Sequence, residues 1–328
     1  MPHITLLAEE NCVSSSMAGT LDAFGMANLW WMFLGREEAL FSTRIVTLDG
    51  KPVTATGGLA IHPQGSIRDA GESDLIVLPA FFPPFDLEND RTRELCAWLR
   101  ERHGQGECLV ATCTGTFLLA RTGLLDGRRA TTNWLFEGMF RSMYPQVDLT
   151  VDRIMVEDQG LVTTGAATAF LNMCLHFIEK YGDAELAAHC SRSLLIDPER
   201  GSQAPYMLHA FWKNHGDEPV LAAQRLMEEN FTESVSIDEV AREVGISQRH
   251  FKRRFKQATG DTPLAYLQHL RIEHAKKRLE TTRENVNEIT WQVGYEDTNS
   301  FRRLFRKHTG MSPKGYRDKY SRFSRPAA

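Results

Sequence analysis

An internal repeat in the last third of the chain constrains the fold more than any other feature of the sequence. Residues 237–266 recur as residues 286–316, at an offset of 49 positions that becomes 50 after one inserted residue. The first matched set pairs Ile237, Glu239, Val240, Val244 and Gly245 with Val286, Glu288, Ile289, Val293 and Gly294. The second pairs Phe251, Lys252, Arg253, Phe255, Lys256, Thr259, Gly260, Pro263 and Tyr266 with Phe301, Arg302, Arg303, Phe305, Arg306, Thr309, Gly310, Pro313 and Tyr316. A repeated unit of this length is a supersecondary element used twice.

Each copy has the pattern of two helices joined by a tight turn. A short amphipathic segment ends at a glycine, Gly245 or Gly294, which can adopt a positive φ angle. The pattern therefore predicts a helix-turn-helix unit in each copy. Residues suited to helix caps bound the second helices: Ser247 and Gly260 in one copy, Asp297 and Gly310 in the other.

The second helix of each copy carries a basic face opposite its apolar face. The face is formed by positions i, i+3, i+4 and i+7, in the same phase in both copies: Arg249, Lys252, Arg253 and Lys256, then Asn299, Arg302, Arg303 and Arg306, all basic except Asn299. Such a face can contact guanine edges and phosphates in the major groove of double-stranded DNA. One basic helix face is often only solvated. Two copies in the same phase favour a pair of DNA-binding units.

The segment from about Ser236 to Tyr316 resembles the DNA-binding domain of the AraC/XylS family of transcription regulators. GYEDTNSFRRLFRKHTGMSPKGYR is similar to the family signature over its full length, and PLAYLQHLRIEHAKKRL fits the long helix that joins the two units in that family. The resemblance implies two recognition segments in major-groove sites roughly 34 Å apart. They are Arg249, Lys252 and Arg253, and Thr298, Asn299, Arg302 and Arg303. Differences between the copies, Arg249 against Asn299 and Arg254 against Leu304, predict that the two helices read different bases.

Charge is distributed unevenly along the chain, although the net charge is only −4. From Ser236 onward there are 20 Lys and Arg against 11 Asp and Glu, whereas residues 1–235 hold 18 against 31. An acidic body with a basic C-terminal domain is typical of a sensor attached to a DNA-binding domain.

The six cysteines are scattered without a CxxC pair, and the histidines do not cluster along the chain. The sequence therefore predicts no disulfide framework, no metal site and no cofactor. It shows no secretory signal and no run of about 18 apolar residues, so we expect a cytoplasmic protein without a membrane partner.

Short apolar runs alternate with helical patterns through residues 1–195, which predicts an α/β sandwich around a mostly parallel sheet. The predicted strands cover residues 3–8, 44–48, 75–78, 108–112, 153–157 and 161–164. The predicted helices cover residues 16–29, 91–102, 114–121, 167–181 and 183–193.

The segment CLVATCTGTFLLARTGLLDG contains a buried strand that ends at Cys113, followed almost at once by a helix. This is the layout of a nucleophile elbow, in which a tight turn exposes the side chain beside helix N–H groups. Those groups would lower the pKa of the Cys113 thiol or bind the carboxylate of a ligand. The alternative is a cysteine buried only for packing.

Residues 3 to about 195 resemble the PfpI-like branch of the class I glutamine amidotransferase-like superfamily. The resemblance rests on the Cys113 segment, the opening strand, DLIVLPA and GLVTTGAATAFLNMCLHFIEKYG. It implies a flavodoxin-like α/β sandwich. A subgroup of AraC-type regulators joins these two domains in this order, so the two resemblances support each other.

The N-terminal domain departs from the pattern of the enzymes in that superfamily. Thr114 follows Cys113 and Asn133 stands in the TTNW segment, where the enzymes supply a His at one place or the other, and Ser16 lies about where a Glu would fall. Asparagine cannot accept the thiol proton as a general base. Ala80-Phe81-Phe82-Pro83-Pro84 replaces the Gly-rich turn that would supply oxyanion N–H groups. We therefore expect no catalytic residues.

A pocket without chemistry would bind a small-molecule effector. Its predicted lining is Ser15, Ser16, Cys113, Thr114 and Asn133, with Phe81, Phe82 and Trp134 near the rim. Polar groups in an apolar cleft suit a small metabolite, and aromatic rings can surround an ammonium group. An amino-acid-, amine- or betaine-like effector is expected, unless these aromatic residues belong to the core.

These patterns predict a sensor domain at residues 1–195, a linker at 196–217 and a DNA-binding domain at 218–328 that starts with a helix at Pro219–Asn230. The helix-turn-helix units are expected at about 236–257 and 286–308. The predicted function is sequence-specific transcription regulation by a homodimer, with RNA polymerase as a further candidate partner. Two alternatives stay open: a redox sensor that oxidises Cys113, and a cysteine hydrolase or amidotransferase-like enzyme.

Overall fold

The computed structural model describes residues 1–83, 86–209, 211 and 213–322, in two compact units. The first unit comprises residues 1–203 and the second begins at Ala204. Pro84 of the predicted turn, and Ala210 and Trp212 of the predicted linker, lie outside the described residues. Among the described helices, none is long and apolar enough to cross a membrane.

The first unit is built on a seven-stranded sheet whose strands are parallel except at one edge. In chain order the strands of the unit are β1 (His3–Leu7), β2 (Ser42–Thr47), β3 (Val53–Thr54), β4 (Ala60–Ile61), β5 (Gly65–Ser66), β6 (Leu75–Leu78), β7 (Cys108–Ala111), β8 (Arg129–Ala130), β9 (Asp148–Leu149), β10 (Met155–Asp158) and β11 (Leu161–Thr164). The sheet order is β10-β11-β7-β6-β1-β2-β5, and β10 is the antiparallel strand. Its five long parallel strands run in the flavodoxin-like order 2-1-3-4-5, so the strand order reverses between β1 and β6.

Helices cover both faces of this sheet, which explains why its central strands are continuous apolar runs. The helices of the unit are α1 (Ser14–Phe33), α2 (Asp90–Gly104), α3 (Gly115–Arg121), α4 (Glu137–Met143), α5 (Ala169–Tyr181) and α6 (Ala184–Ser193). Helices α1, α5 and α6 share one core with alternate strand residues such as Val77 and Val110, whereas α2 and α3 pack on β6 and β7. The predicted sandwich is confirmed.

The second unit is entirely helical in its described part. Its helices are α7 (Glu218–Asn230), α8 (Ile237–Glu243), α9 (Gln248–Thr259), α10 (Pro263–Thr281), α11 (Val286–Gln292), α12 (Thr298–Thr309) and α13 (Pro313–Tyr320). Gly245 and Gly294, which end the turns before α9 and α12, have φ angles of 69° and 83°. Gly260 and Gly310 are left-handed caps at the ends of those helices. The two helix-turn-helix units are formed by α8 and α9 and by α11 and α12.

The structural repeat is larger than the sequence repeat. The core of the first helix-turn-helix unit includes Met227 of α7 and Tyr266 of α10. The core of the second helix-turn-helix unit includes Leu279 of α10 and Tyr316 of α13. The Tyr266 hydroxyl donates to the Glu228 carboxylate over 2.7 Å, and the Tyr316 hydroxyl donates to Glu280 over 2.7 Å. Helix α7 thus supports the first helix-turn-helix unit as α10 supports the second. The sequences of α7 and α10 do not reveal that the two helices have equivalent positions.

The sequence missed the two-residue strands and helix α4. A strand of two residues has no measurable period, and β3, β4, β5, β8 and β9 each have only two. Helix α4 leaves Met139 and Met143 exposed, so it lacks the apolar stripe by which a helix is recognised. Helix α1 also extends beyond its predicted bounds, from Ser14 to Phe33.

Candidate DNA-binding surface and sensor pocket

The basic residues predicted for the first recognition helix, α9, lie on one exposed face. Arg249, Lys252, Arg253 and Lys256 are all exposed, while Phe251 and Phe255 on the opposite side are fully buried. This separation arises because residues three and four apart share a helix face. The four cations are therefore available to a partner.

Helix α12 presents the second set in the same way. Asn299, Arg302, Arg303 and Arg306 are exposed, and Thr298 is half-buried at the first helical position. Asp297 caps the helix by accepting hydrogen bonds from the backbone N–H groups of Asn299 and Ser300. The carboxylate at the start of the helix fixes the position of Thr298 and Asn299, whereas Ser247 makes no such side-chain cap for α9.

Arg254 does not belong to the recognition surface. Its guanidinium binds both carboxylate oxygens of Asp217, at 3.0 and 2.9 Å, and Asp217 also caps α7 by accepting from the Val220 N–H. Leu304, the equivalent residue of the second copy, packs against the core of its unit. Arg254 and Leu304 thus contact other parts of the protein, whereas Arg249 and Asn299 are exposed, and it stays a prediction that the two helices read different bases.

Arg271, which sequence analysis did not single out, connects the two helix-turn-helix units. It lies on α10 and donates hydrogen bonds to the carbonyl oxygens of Phe231 and Glu233, at 2.8 and 2.7 Å. Its guanidinium also lies 5.1 Å from the ring centre of Tyr295, beside the turn glycine Gly294. The Arg271 side chain thus connects the segment after α7 to the second helix-turn-helix unit.

Cys113 lies in the first unit at the carboxyl end of β7, at a tight turn into α3. Its φ angle of 53° is in the left-handed region, which is costly for any residue other than glycine. The turn is held by hydrogen bonds from the Cys113 N–H to Thr164 and from the Thr116 and Thr132 hydroxyls to the Cys113 carbonyl. The predicted elbow geometry is present, with strain supported by three threonines.

The thiol of Cys113 is nevertheless buried and uncharged, with only 8% of the residue exposed. Burial raises the pKa of the Cys113 thiol, and this outweighs hydrogen bonds from the Ala167 and Thr114 backbones and from the Asn133 side chain. The expected lowering of this pKa is therefore wrong. The first N–H groups of α3, at Gly115 and Phe117, also bond to carbonyl oxygens of the preceding turn instead of facing a ligand.

The other predicted pocket residues are not equally accessible. Asn133 is half-buried next to the thiol, and its carbonyl oxygen accepts from the Leu135 N–H over 3.0 Å. Ser16 is buried with its hydroxyl donated to the Val13 carbonyl, whereas Ser15 is exposed. Thus Asn133 and Cys113 are brought together, and the Ser16 hydroxyl is engaged elsewhere.

The turn after β6 is tied to Thr114. The Thr114 hydroxyl accepts from the Phe81 N–H over 2.8 Å and lies 2.6 Å from the Phe81 carbonyl, and Phe81 also pairs with Cys12 after β1. These contacts lie where the strand order reverses, between β1 and β6. Sequence analysis predicted that this turn lacks free N–H donors for an oxyanion. The Phe81 N–H is bonded to the Thr114 hydroxyl, as that prediction expects. Phe81 and Trp134 are half-buried, and Phe82 is 62% exposed.

Known proteins match both units. Residues 240–319 match the helix-turn-helix domain family, and residues 31–180 match the DJ-1/PfpI family. The HTH-type transcriptional regulator GbdR of Pseudomonas aeruginosa is 29% identical over 96% of this chain and 83% of its own length. GlxA of Rhizobium meliloti, also an HTH-type transcriptional regulator, is 28% identical over 94% of both chains. The chain thus joins a domain that matches the DJ-1/PfpI family to a C-terminal helix-turn-helix domain, and it is similar over most of its length to HTH-type transcriptional regulators.

A solved structure supports the fold of the N-terminal domain of this regulator. The AraC family transcriptional regulator from Pseudomonas putida superposes with a TM-score of 0.51 and 20% identity, over 59% of this chain and all of that one. The similar full-length proteins are regulators of transcription, so the DJ-1/PfpI domain serves a DNA-binding regulator and not an enzyme.

Two features of the regulator's N-terminal domain were missed by sequence analysis. Glu9, at the end of β1, is buried and accepts two hydrogen bonds from Arg91 of α2, at 2.7 and 2.9 Å. Burial raises the pKa of Glu9 in spite of this pairing. A groove of about 660 Å³ also lies along α5 and α6, and its rim carries Arg153, Arg192 and Arg200. None of the five predicted pocket residues, all of which are described, lines this groove.

Proposed function

We propose that the N-terminal domain of this regulator binds a small metabolite at the Cys113 corner, and that binding changes the affinity of the C-terminal domain for DNA. The observation that carries the proposal is the strained turn at Cys113, with its φ of 53°. Strain of this kind costs about 1–3 kcal/mol and persists where the surrounding structure holds it for a function.

The chemistry of the corner favours binding over turnover. The thiol is protonated at neutral pH because burial raises its pKa, and Asn133 beside it cannot take up a proton. A nucleophilic mechanism needs a thiolate or an adjacent base. We therefore assign Cys113 to the wall of a pocket.

The proposed effector is an amino-acid-, amine- or betaine-like molecule. The Asn133 side-chain amide lies within hydrogen-bonding distance of the Cys113 thiol and carries two N–H hydrogens, and in the proposed complex one of them donates to a ligand carboxylate. The half-buried rings of Phe81 and Trp134 offer π faces to a cationic group. The proposed class therefore combines a carboxylate, which the Asn133 amide can bind, with a cationic group, which the aromatic rings can bind.

We further propose that the exposed faces of α9 and α12 bind successive major-groove segments of double-stranded DNA. The proposed contacts are Arg249, Lys252, Arg253 and Lys256, and Thr298, Asn299, Arg302, Arg303 and Arg306. All of these residues except the half-buried Thr298 are exposed, and each set lies opposite a pair of buried phenylalanines, which supports this assignment. RNA polymerase remains a candidate partner of the DNA-bound protein.

We also propose a homodimer formed through the C-terminal end of α1. Leu29, Met32 and Phe33 occupy one face there and are 41%, 57% and 69% exposed. Trp30 instead packs within the unit, where its indole N–H donates to Ser193. Contiguous exposed apolar side chains are rare on monomers and typically mark an interface. A dimer would present two pairs of recognition helices to paired half-sites.

The redox alternative is less well supported. Oxidation requires a thiolate that solvent can reach, whereas Cys113 is buried with a raised pKa. All six cysteines are free thiols, which suits the proposed cytoplasmic location.

A thermal-shift screen of the full-length protein with amino acids, amines and betaines tests the proposed site, because a ligand that binds only the native state raises Tm. We expect a compound that stabilises the wild type and loses its effect in Asn133→Ala. Arg192→Ala, in the groove along α6, is the matched control and should retain the shift. The opposite pattern, with the shift lost only in Arg192→Ala, would place the effector in the groove and refute the Cys113 pocket.

A further inference from the structure

Three residues from separate segments of the second unit bring their metal-binding atoms together. They are His209 in the segment before α7, Asp261 in the turn between α9 and α10, and His269 on α10. The Asp261 Oδ2 lies 3.0 Å from the His209 Nε2 and 3.2 Å from the His269 Nδ1. All three potential ligand atoms lie within 4.8 Å of one another.

Each member of this cluster is held in place by its own element. The Asp261 N–H donates to the Thr259 hydroxyl at the end of α9, which fixes the turn. His269 lies in the middle of α10, and its ring is 3.9 Å from that of His209. The arrangement is therefore built from a turn, a helix and a segment without regular secondary structure.

The segment that contains His209 runs along α10 through contacts on both sides of the histidine. The Lys276 ammonium donates to the Met207 carbonyl over 2.6 Å, and the Phe211 ring packs edge-on against Tyr266 at 5.0 Å. His209 is thus positioned between two anchored residues. All three side chains of the cluster are partly exposed, at 21–25%, so an ion from solvent can reach them.

We propose that His209, Asp261 and His269 form a binding site for one divalent transition-metal ion, with Zn²⁺ as the reference ion. Two imidazole nitrogens and a carboxylate oxygen are the ligand types that zinc accepts, and three protein ligands leave a coordination position for water. Without an ion, both rings donate an N–H to the same carboxylate oxygen. On binding, the ion takes the place of these two protons, which move to the other ring nitrogens or to solvent.

The ion would join the segment before α7 to the first helix-turn-helix unit. Residues 204–217 connect the end of the first compact unit to α7, and His209 lies within them. A bound ion would fix this connection to the turn after α9 and to α10. The site is thus a second input to the regulator, separate from the effector pocket.

Zinc binding by the chelator-stripped, full-length protein tests this site directly. Equilibrium dialysis should give one tightly bound Zn²⁺ per wild-type chain. In His209→Ala and Asp261→Asn we expect affinity to fall by on the order of tenfold or more, since removal even of a group that only supports a metal ligand has such an effect. Cobalt(II) substitution should give d–d absorption bands in the wild type that both variants lack.

His274→Gln is the matched control, because this histidine is on the same helix but exposed and stacked on Phe231. It should bind Zn²⁺ and Co²⁺ as the wild type does. Far-ultraviolet circular dichroism verifies that each variant is folded, and two variants in different segments guard against local unfolding in one. Zinc affinity and cobalt spectra that are unchanged in folded His209→Ala and Asp261→Asn would overturn the proposal. So would a wild type that binds no zinc.

Discussion

The two turn glycines of the repeat offer a sharp test of the tertiary structure, because they have the same conformation but different surroundings. Gly245 and Gly294 have φ angles of 69° and 83°. A Cβ atom on Gly245 would meet nothing within 4 Å. On Gly294 it would lie 2.8 Å from the carbonyl oxygens of Phe231 and Thr232, closer than real Cβ contacts.

The expected loss of stability has two contributions, the cost of a left-handed backbone conformation and the cost of steric overlap. Alanine in a left-handed conformation costs about 1–2 kcal/mol, and this applies to both positions. Overpacking adds about 1–3 kcal/mol at Gly294 only, because the obstructing atoms belong to the backbone and cannot rotate away. We expect Gly245→Ala to lower local stability by about 1–2 kcal/mol and Gly294→Ala by about 2–5 kcal/mol.

Hydrogen–deuterium exchange of the full-length protein measures this difference without assuming that the whole chain unfolds in one step. Peptides of α8–α9 report on Gly245 and those of α11–α12 on Gly294. Each tenfold rise in exchange corresponds to about 1.4 kcal/mol. Asparagine tolerates the left-handed region, so Gly245→Asn should be milder than Gly245→Ala, whereas Gly294→Asn should stay severe. Equal effects of alanine at the two positions would refute the steric part of the reasoning.

Three further predictions concern DNA binding, the support of the first helix-turn-helix unit by α7, and the assembly of a homodimer. Arg253→Ala and Arg303→Ala should each weaken binding to a cognate duplex by about 1–3 kcal/mol in fluorescence anisotropy at fixed salt; unchanged affinity would remove these residues from the interface. Arg254→Ala should keep the sequence preference but lower stability, and a double-mutant cycle with Asp217→Ala should give a coupling of roughly 0.2–1 kcal/mol, since the pair is partly exposed. No coupling would show that the ion pair does not support α7. Phe33→Asp should shift sedimentation towards the monomer, and a monomeric wild type would contradict the proposed interface.

Sequence periodicity predicted the elements that have enough residues to show a period. Strand β6 and strand β11 have the predicted bounds, and α5 begins two residues later than predicted. The turn glycines and helix caps of the repeat were also found in the sequence, because a positive φ restricts the residue type strongly. Two-residue strands and α4 carry too little pattern to be recognised.

Side-chain environments were harder to predict than elements. The turn at Cys113 is present, yet the thiol has a raised pKa because the folded chain buries it, and neighbours in sequence do not report burial. Arg254 is a basic residue on a recognition helix, but its side chain pairs with Asp217, 37 positions away in the sequence. Arg271 carries no motif, and its contacts with Phe231 and Glu233 exist only after α10 has packed.

The sequence by itself determined that this chain has an α/β domain followed by two helix-turn-helix units with a basic face on each second helix. These features depend on local periodicity, on cap residues and on glycine, which act within a few positions along the chain. Only the tertiary structure decided which cations of the second helices remain exposed, why Gly294 is more constrained than Gly245, and that His209, Asp261 and His269 meet. Those properties depend on groups from different segments approaching within a few ångströms, and the hydrophobic packing of α7, α10 and their neighbours sets that proximity.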